Sequence, residues 1–185
     1  MTIFEKKKLE RDMFRKLRDN SSLNQRENVE KNVKIYVDSF LGEDKNISYI
    51  AIYWPLKNEV DIRSLKQKIP LALPRCKDKK ELLFYPWDDK PLTKDFEGIL
   101  SPNNSFSLTH KQISLILVPC LSVDKNLIRL GYGGGYFDKL RRDENWRDVP
   151  CIGVLTSNCV STTPLTRADW DIPLSGFITE KEIIV

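Results

Sequence analysis

From Phe4 to Leu41 the chain is dense in Lys, Glu, Arg and Leu. Its apolar residues recur near helical spacing, first Leu9, Met13 and Leu17, then Val29, Val33 and Val37. Two helices are predicted, with a break at Asn20-Ser21-Ser22, where serine can cap the second. The apolar run from Ile47 to Tyr53 reads as a short strand, Asp61 to Lys68 as a helix, and Leu71 to Leu73 as a strand ending at Pro74. Glu81 to Tyr85 is a further strand candidate, whereas Pro86 to Ser107, with three prolines and much polar sequence, reads mostly as loop. Ile113 to Val118 is the clearest buried strand. It leads through a loop into Gly131 to Gly135, then a helix from Tyr136 to Arg142 and a strand from Cys151 to Leu155, and Phe177 to Val185 supplies a final strand. Strands alternating with helices in this way predict an α/β fold with a mostly parallel sheet.

Composition narrows the class. With 185 residues, 41% hydrophobic and 30% charged, the chain can bury one core and is too short for two comfortable domains, so a single domain over residues 1–185 is expected. No stretch has the apolar length of a membrane span. The start carries Lys6, Lys7, Lys8 and Arg11 without the apolar run and cleavage site of a signal peptide, so a soluble, cytoplasmic protein is expected. Cys76, Cys120, Cys151 and Cys159 lie far apart, and His110 is the only histidine, so buried free thiols are preferred over a metal cluster. A net charge of +4 with acids and bases interleaved falls short of a nucleic-acid footprint and suits small anionic ligands.

The glycine-rich loop is the first chemical signal. Glycine at 131, 133, 134 and 135 permits positive φ and leaves no Cβ to obstruct a phosphate, and the N–H groups opening the next helix supply oriented donors. The loop has neither the G-K-[ST] of a Walker A motif nor a convincing dinucleotide fingerprint, and as glycines alone it is at least as readily a structural turn. The flanking residues change the odds. Arg129 can pair with phosphate oxygens, and Asp138, on the first helical turn, can hold a metal ion facing them.

The ten residues Arg129-Leu130-Gly131-Tyr132-Gly133-Gly134-Gly135-Tyr136-Phe137-Asp138 resemble the nucleotide-binding signature of the 5-formyltetrahydrofolate cyclo-ligase family. They depart only at Phe137, where that family usually has tyrosine. The upstream strand Leu115-Ile116-Leu117-Val118-Pro119 and Asp124 before the loop are also in the family's order. The resemblance implies a Rossmann-like fold related to the sugar-phosphate isomerase and CoA-transferase-like group, with ATP and Mg²⁺ as cofactors. It also implies 5-formyltetrahydrofolate as substrate, and the chain is expected to act as a monomer without nucleic-acid or membrane partners.

Site residues follow from the resemblance position by position. Lys7 and Arg11, four apart on one helix face, resemble a family Lys and Arg that reach one polyphosphate; the competing reading is a solvated basic helix. Leu73-Pro74-Arg75 resembles a family motif that makes Arg75 a second phosphate clamp, against an ordinary surface arginine. Loop residues 129–137 complete the nucleotide set, with Arg129 and Tyr136 as catalytic candidates. In Tyr53-Trp54-Pro55-Leu56-Lys57-Asn58-Glu59, Trp54 and Glu59 match the family's pterin contacts, joined by Tyr132 and Tyr136; a flat apolar wall and one carboxylate suit a ring with an edge of N–H donors. Asp171, in Asp171-Ile172-Pro173-Leu174, resembles a second metal-side aspartate beside Asp138, and is equally readable as a turn cap.

Four positions depart from the family pattern: Phe137, Ser101 in Gly98-Ile99-Leu100-Ser101-Pro102 where the family has Glu, Cys159 near a usual Gln, and Ser175 where Asp is usual. Several are expected around the folate side. The implied reaction consumes ATP and 5-formyltetrahydrofolate and yields 5,10-methenyltetrahydrofolate, ADP and phosphate. A catalytically impaired paralogue that binds a folate or nucleotide without turnover is the alternative, favoured by the departures at Phe137 and Ser175.

Overall fold

The computed structural model describes residues 1–42, 48–79 and 81–185. Two long helices open the chain, α1 (Ile3–Asp19) and α2 (Leu23–Leu41), each started by a reciprocal capping box, Thr2 with Glu5 and Ser22 with Gln25. The serine cap falls where the sequence places it. The stripe of Val29, Val33 and Val37 is fully buried. On α1, by contrast, Leu9 and Met13 are exposed and the buried positions are Lys7 and Phe14. Phe14 packs with Leu121, Ile128, Leu130 and Leu165 rather than with the main sheet, while Lys7 lines a cleft.

The strands are β1 (Tyr49–Ala51), β2 (Leu71–Cys76), β3 (Leu82–Pro86), β4 (Thr93–Lys94), β5 (Leu100–Ser101), β6 (Ile113–Pro119), β7 (Ser122–Val123), β8 (Arg129–Leu130), β9 (Cys151–Val154), β10 (Gly176–Ile178) and β11 (Ile183–Ile184); short helices α3 (Tyr136–Leu140) and α4 (Glu144–Arg147) precede β9. Seven strands form one sheet in the order β11-β10-β9-β6-β1-β2-β3. The five inner strands pair in parallel, and the edge strands β3 and β11 are antiparallel. This is the mixed α/β fold with a mostly parallel sheet that the alternation predicts.

Alternate residues of β6 serve opposite faces. Leu115 and Leu117 pack with the α2 valines, and Ile116 and Val118 pack with Ala51, Phe84 and Phe177 on the side where Phe137, Leu140 and Trp146 sit. The four cysteines are buried and unbridged. Among the described residues, no helix is long and apolar enough to cross a membrane.

Three expectations are corrected. Asp61 to Lys68 is not a helix but a short 3₁₀ turn, Arg63–Gln67. Asp61 is spent on the Arg63 backbone and guanidinium, no side chain caps the turn, and Pro70 disfavours helical continuation at Ile69. β2 does not end at Pro74; it runs on to Cys76 because β1 pairs only with Leu71 and Ala72, so the missing proline N–H falls where no neighbouring strand asks for it. The segment 177–185 is the hairpin β10–β11 rather than one strand. The proline-rich segment is mostly loop, as read, with only the short ribbon β4–β5 in it. In the expected strand from Ile47, β1 begins at Tyr49, and Ile47 lies outside the described residues.

Candidate active site

β1 leads to its right-hand neighbour β2, whereas β6 leads leftward to β9 and β10, so the topology switches direction between β1 and β6. Ligands of open α/β sheets bind outside the carboxyl ends of the strands at such a point. A cleft of about 680 Å³ lies there, lined by Tyr53, Trp54 and Glu59 after β1, Pro74 and Cys76 of β2, Pro119 of β6, the glycine loop and the N-terminal half of α1.

One wall is cationic. Lys7 and Arg11 line the cleft from α1, one turn apart. The Lys7 ammonium is paired with Asp171, both side chains nearly buried, and Arg11 Nε donates to the carbonyl of Gly131 at 2.9 Å. Arg129 Nη2 pairs with Asp138 at 3.0 Å, and its guanidinium stands 5.4 Å from the centre of the Phe137 ring. Burial alone would lower the Arg129 pKa, but Asp138 together with Cys120 and Cys151 more than offsets it, so the side chain remains a cation.

Between these cations runs the glycine loop. Only Gly133 (φ 111°) and Gly135 (φ 69°) have left-handed backbone, so the expectation that all four glycines serve positive φ is corrected. The other two allow close approach. A Cβ at Gly131 would lie 2.9 Å from the Arg129 guanidinium, and one at Gly134 would lie 2.8 Å from the Tyr136 ring. α3 spans only five residues, so its dipole is small and the loop N–H groups and side-chain cations carry the positive potential.

Across the cleft the chemistry changes. Trp54 is half-buried, meets Trp87 edge-on with centroids 6.0 Å apart, and carries Arg63 over its face at 4.5 Å. Glu59 Oε2 accepts the Leu56 N–H at 2.7 Å, while Oε1 and the Tyr132 hydroxyl are buried without a hydrogen-bond partner. Burial pushes the Glu59 carboxyl above its ordinary pKa, opposed in part by nearby Tyr132, and burial raises the Tyr132 phenol well above its own. The carboxylate and the phenol are near neighbours with Arg18 beside them, so a small shift of either side chain would pair the two. Tyr136 donates to Glu97 at 2.5 Å, drawing the β4–β5 ribbon against α3; burial and Glu97 both raise its pKa, so the phenol stays neutral with its O–H spent on Glu97.

The structure therefore gathers Lys7, Arg11, Trp54, Glu59 and residues 129–138 around one cleft, with Asp171 at its edge. Arg75 is not among the lining residues. Its Nη1 donates to Thr93 Oγ1, Ser101 Oγ and the Pro102 carbonyl, so it braces the ribbon, and the structure does not bring it to the cleft with the other expected phosphate ligands. Three departures also lie outside the cleft lining: Ser101 bonds Arg75, Ser175 accepts the Cys151 N–H, and Cys159 faces a water-sized void below Glu59. Only Phe137 lines it. Sequence reasoning missed Phe4, Glu97, Arg142 and Trp170, all of which line the cleft. Phe4 was within reach, being three residues before Lys7 on the same helix face.

The metal expectation meets occupied carboxylates. Asp171 holds Lys7 and accepts the Ala168 N–H at 2.7 Å, and Asp138 holds Arg129 through Oδ1. Among the described residues, no group of three or more His, Cys, Asp or Glu could hold a metal ion. A divalent ion fits only if phosphate oxygens and water complete its shell, as Mg²⁺ ordinarily allows, with Asp138 Oδ2 as an available protein ligand.

A cation-lined glycine loop, an aromatic wall and a buried carboxylate share one cleft at the switch point of a mostly parallel sheet, which makes this an α/β protein with a cationic, partly aromatic pocket. Residues 3–180 match the model of the 5-formyltetrahydrofolate cyclo-ligase family, and the chain belongs to that family. It is 28% identical over 176 residues to the 5-formyltetrahydrofolate cyclo-ligase of Haemophilus influenzae, covering 89% of this chain and 92% of that one. It is 29% identical over 149 residues to the protein of that name from Mycoplasma pneumoniae, covering 77% and 79%. The NMR structure of Aquifex aeolicus 5,10-methenyltetrahydrofolate synthetase superposes with a TM-score of 0.76 at 27% identity, covering 96% of this chain and 91% of that one. The 5,10-methenyltetrahydrofolate synthetase of Mycoplasma pneumoniae, at 24% identity, TM-score 0.70 and coverage of 94% and 98%, supports the fold alone.

Proposed function

We propose that this chain is an ATP-dependent 5-formyltetrahydrofolate cyclo-ligase, releasing 5,10-methenyltetrahydrofolate, ADP and phosphate. The observation that carries it is the pairing, in one cleft, of the Lys7, Arg11 and Arg129 arc around the glycine loop with Glu59 and Trp54. The first half suits a triphosphate, the second a reduced pterin stacked on an apolar wall with N–H donors facing a carboxylate.

The chemistry asks mainly for position and charge. The formyl oxygen of the substrate is a poor leaving group; taking the γ-phosphoryl group of ATP makes it a phosphate ester, after which N10 attacks the formyl carbon, loses its proton to water or to the departing phosphate, and the C–O bond breaks to release phosphate. Arg11 and Arg129 neutralise the phosphates, and the loop N–H groups hold them in line. Mg²⁺, when bound, shares that neutralisation. Asp138 would hold it, with Asp171 joining once Lys7 has turned from that carboxylate to the phosphates. Tyr136, its single O–H donated to Glu97, would wall the site and hold the β4–β5 ribbon beside the reacting groups. The chain is proposed to act as a cytoplasmic, single-domain monomer.

Purified protein mixed with Mg²⁺-ATP and 5-formyltetrahydrofolate should develop the near-ultraviolet absorbance of the methenyl product. Tight binding of both ligands without that absorbance would replace this reading with a binding module.

A further inference from the structure

Two large aromatic side chains at the cleft mouth are left uncovered. Phe4 is 71% exposed and Trp170 is 42% exposed, their ring centroids lie 6.4 Å apart at an interplanar angle of 34°, and both line the same cleft as the phosphate arc. Apolar rings beside a charged pocket cost solvation, and these have no apolar cover. The Arg142 guanidinium stands 5.7 Å from the centre of the Trp170 ring, which holds one indole face to a cation and leaves the ring open elsewhere.

Their placement along α1 is informative. Phe4, Lys7 and Arg11 follow one another along one helix face, and Trp170 adjoins Asp171, the partner of Lys7. Seven residues separate Phe4 from Arg11, about 10 Å along a helix. That is the length over which ribose and the inner phosphate join a base to its outer phosphates. With outer phosphates at Arg11 and the glycine loop and an inner one at Lys7, the base arrives at Phe4 and Trp170.

We infer that Phe4 and Trp170 form a stacking clamp for the nucleobase, so that the enzyme distinguishes a nucleoside triphosphate from bare polyphosphate by ring contact. This rests on the nucleotide reading above and adds two specificity residues that the glycine signature does not contain. The clamp tilts at rest and takes the base between or against its rings, an arrangement worth a large factor in affinity because every base offers a flat face.

The test compares ATP with inorganic tripolyphosphate by calorimetry on the wild-type chain, Phe4→Ala, Trp170→Ala and Trp170→Phe, with circular dichroism to show that each is folded. Wild type should bind ATP more tightly than tripolyphosphate. Each alanine variant should lose about 5- to 100-fold in ATP affinity while its tripolyphosphate affinity stays within about twofold. Trp170→Phe should keep most ATP affinity but lose much of the fluorescence quenching that ATP causes in the wild type. Unchanged ATP affinity in both alanine variants, or equal losses for the two ligands, would overturn the clamp. Failure of the wild-type chain to bind either ligand would overturn the nucleotide reading itself, and the clamp with it.

Discussion

Arg129 and Asp138 meet at 3.0 Å across the glycine loop, tying the strand before it to the helix after it. The pair fixes the loop's span while leaving one Asp138 oxygen outside it. Asp138→Asn keeps an acceptor for Arg129 but removes the hard anionic ligand, so the Mg²⁺ concentration needed for half-maximal turnover should rise at least tenfold. Arg129, only 7% exposed in its side chain, loses its counter-charge, so stability should fall by about 1–3 kcal/mol. A folded variant with wild-type turnover at limiting Mg²⁺ would show that Asp138 is a brace and nothing more.

Lys7 and Asp171 make the second such pair, with side chains 11% and 6% exposed. Lys7→Met leaves a buried carboxylate held by the Ala168 N–H alone and should cost about 3 kcal/mol in urea unfolding. If Lys7 also turns to phosphate, ATP affinity should drop roughly tenfold, since a charge-assisted contact is worth about 1.5–3 kcal/mol. Lower stability with unchanged ATP affinity would confine Lys7 to structure.

Glu59 sets stability against binding. Burial holds its carboxyl above the ordinary pKa, so the folded state binds this proton more tightly than the unfolded one. Its contribution to stability is complete below the ordinary carboxylate range and is lost as pH rises through the raised value; at neutral pH the ionised group is a cost. Glu59→Gln should therefore raise the neutral-pH Tm of the ligand-free protein and flatten its pH dependence above the ordinary range. The same change should raise KM for the folate at least tenfold, because the charged acceptor is gone. A lower neutral-pH Tm, or an unchanged KM, contradicts this assignment.

Gly133 and Gly134 separate two reasons for glycine. Gly133→Ala forces a side chain into φ 111° and should disorder the loop, weakening ATP binding about tenfold. Gly134 has no such φ, but an added Cβ meets the Tyr136 ring at 2.8 Å. Gly134→Val should displace Tyr136 and reduce kcat more than ATP affinity. Equal effects of both changes on ATP affinity by calorimetry would mean that the loop responds as one rigid unit.

Much of this was legible because the signals are local. The α2 valines, the apolar run of β6 and the glycine string each announce themselves within a few residues, and the structure places them as read. What escaped depends on distant partners. Lys7 is buried only because Asp171, 164 positions away, neutralises it, and no local period predicts an inward-facing lysine beside outward-facing Leu9 and Met13. Arg75 reads as a phosphate ligand, and only the fold shows it bonded to Ser101 and Thr93, outside the cleft lining. Ser101 and Ser175 look like losses from a folate pocket until the fold puts both outside the cleft lining.

Phe137 is therefore the departure that decides between a working enzyme and a retired one. Its ring lines the cleft, packs on the core and lies under the Arg129 guanidinium, so the position is filled and its cation is held without a hydroxyl. If the usual tyrosine hydroxyl only bonds water or ligand, its absence costs about 0.5–1.5 kcal/mol. If it meets charge developing on the formyl group, restoring it would act on the transition state and raise turnover by an order of magnitude or more. The cations and the glycine loop line the cleft without that hydroxyl, so the first case is expected. Phe137→Tyr should change kcat/KM by less than about tenfold, roughly 1.4 kcal/mol. A wild-type protein that binds ATP but makes no methenyl product, and gains that activity only with Phe137→Tyr, would reverse the conclusion and make this chain a binding module one hydroxyl short of an enzyme.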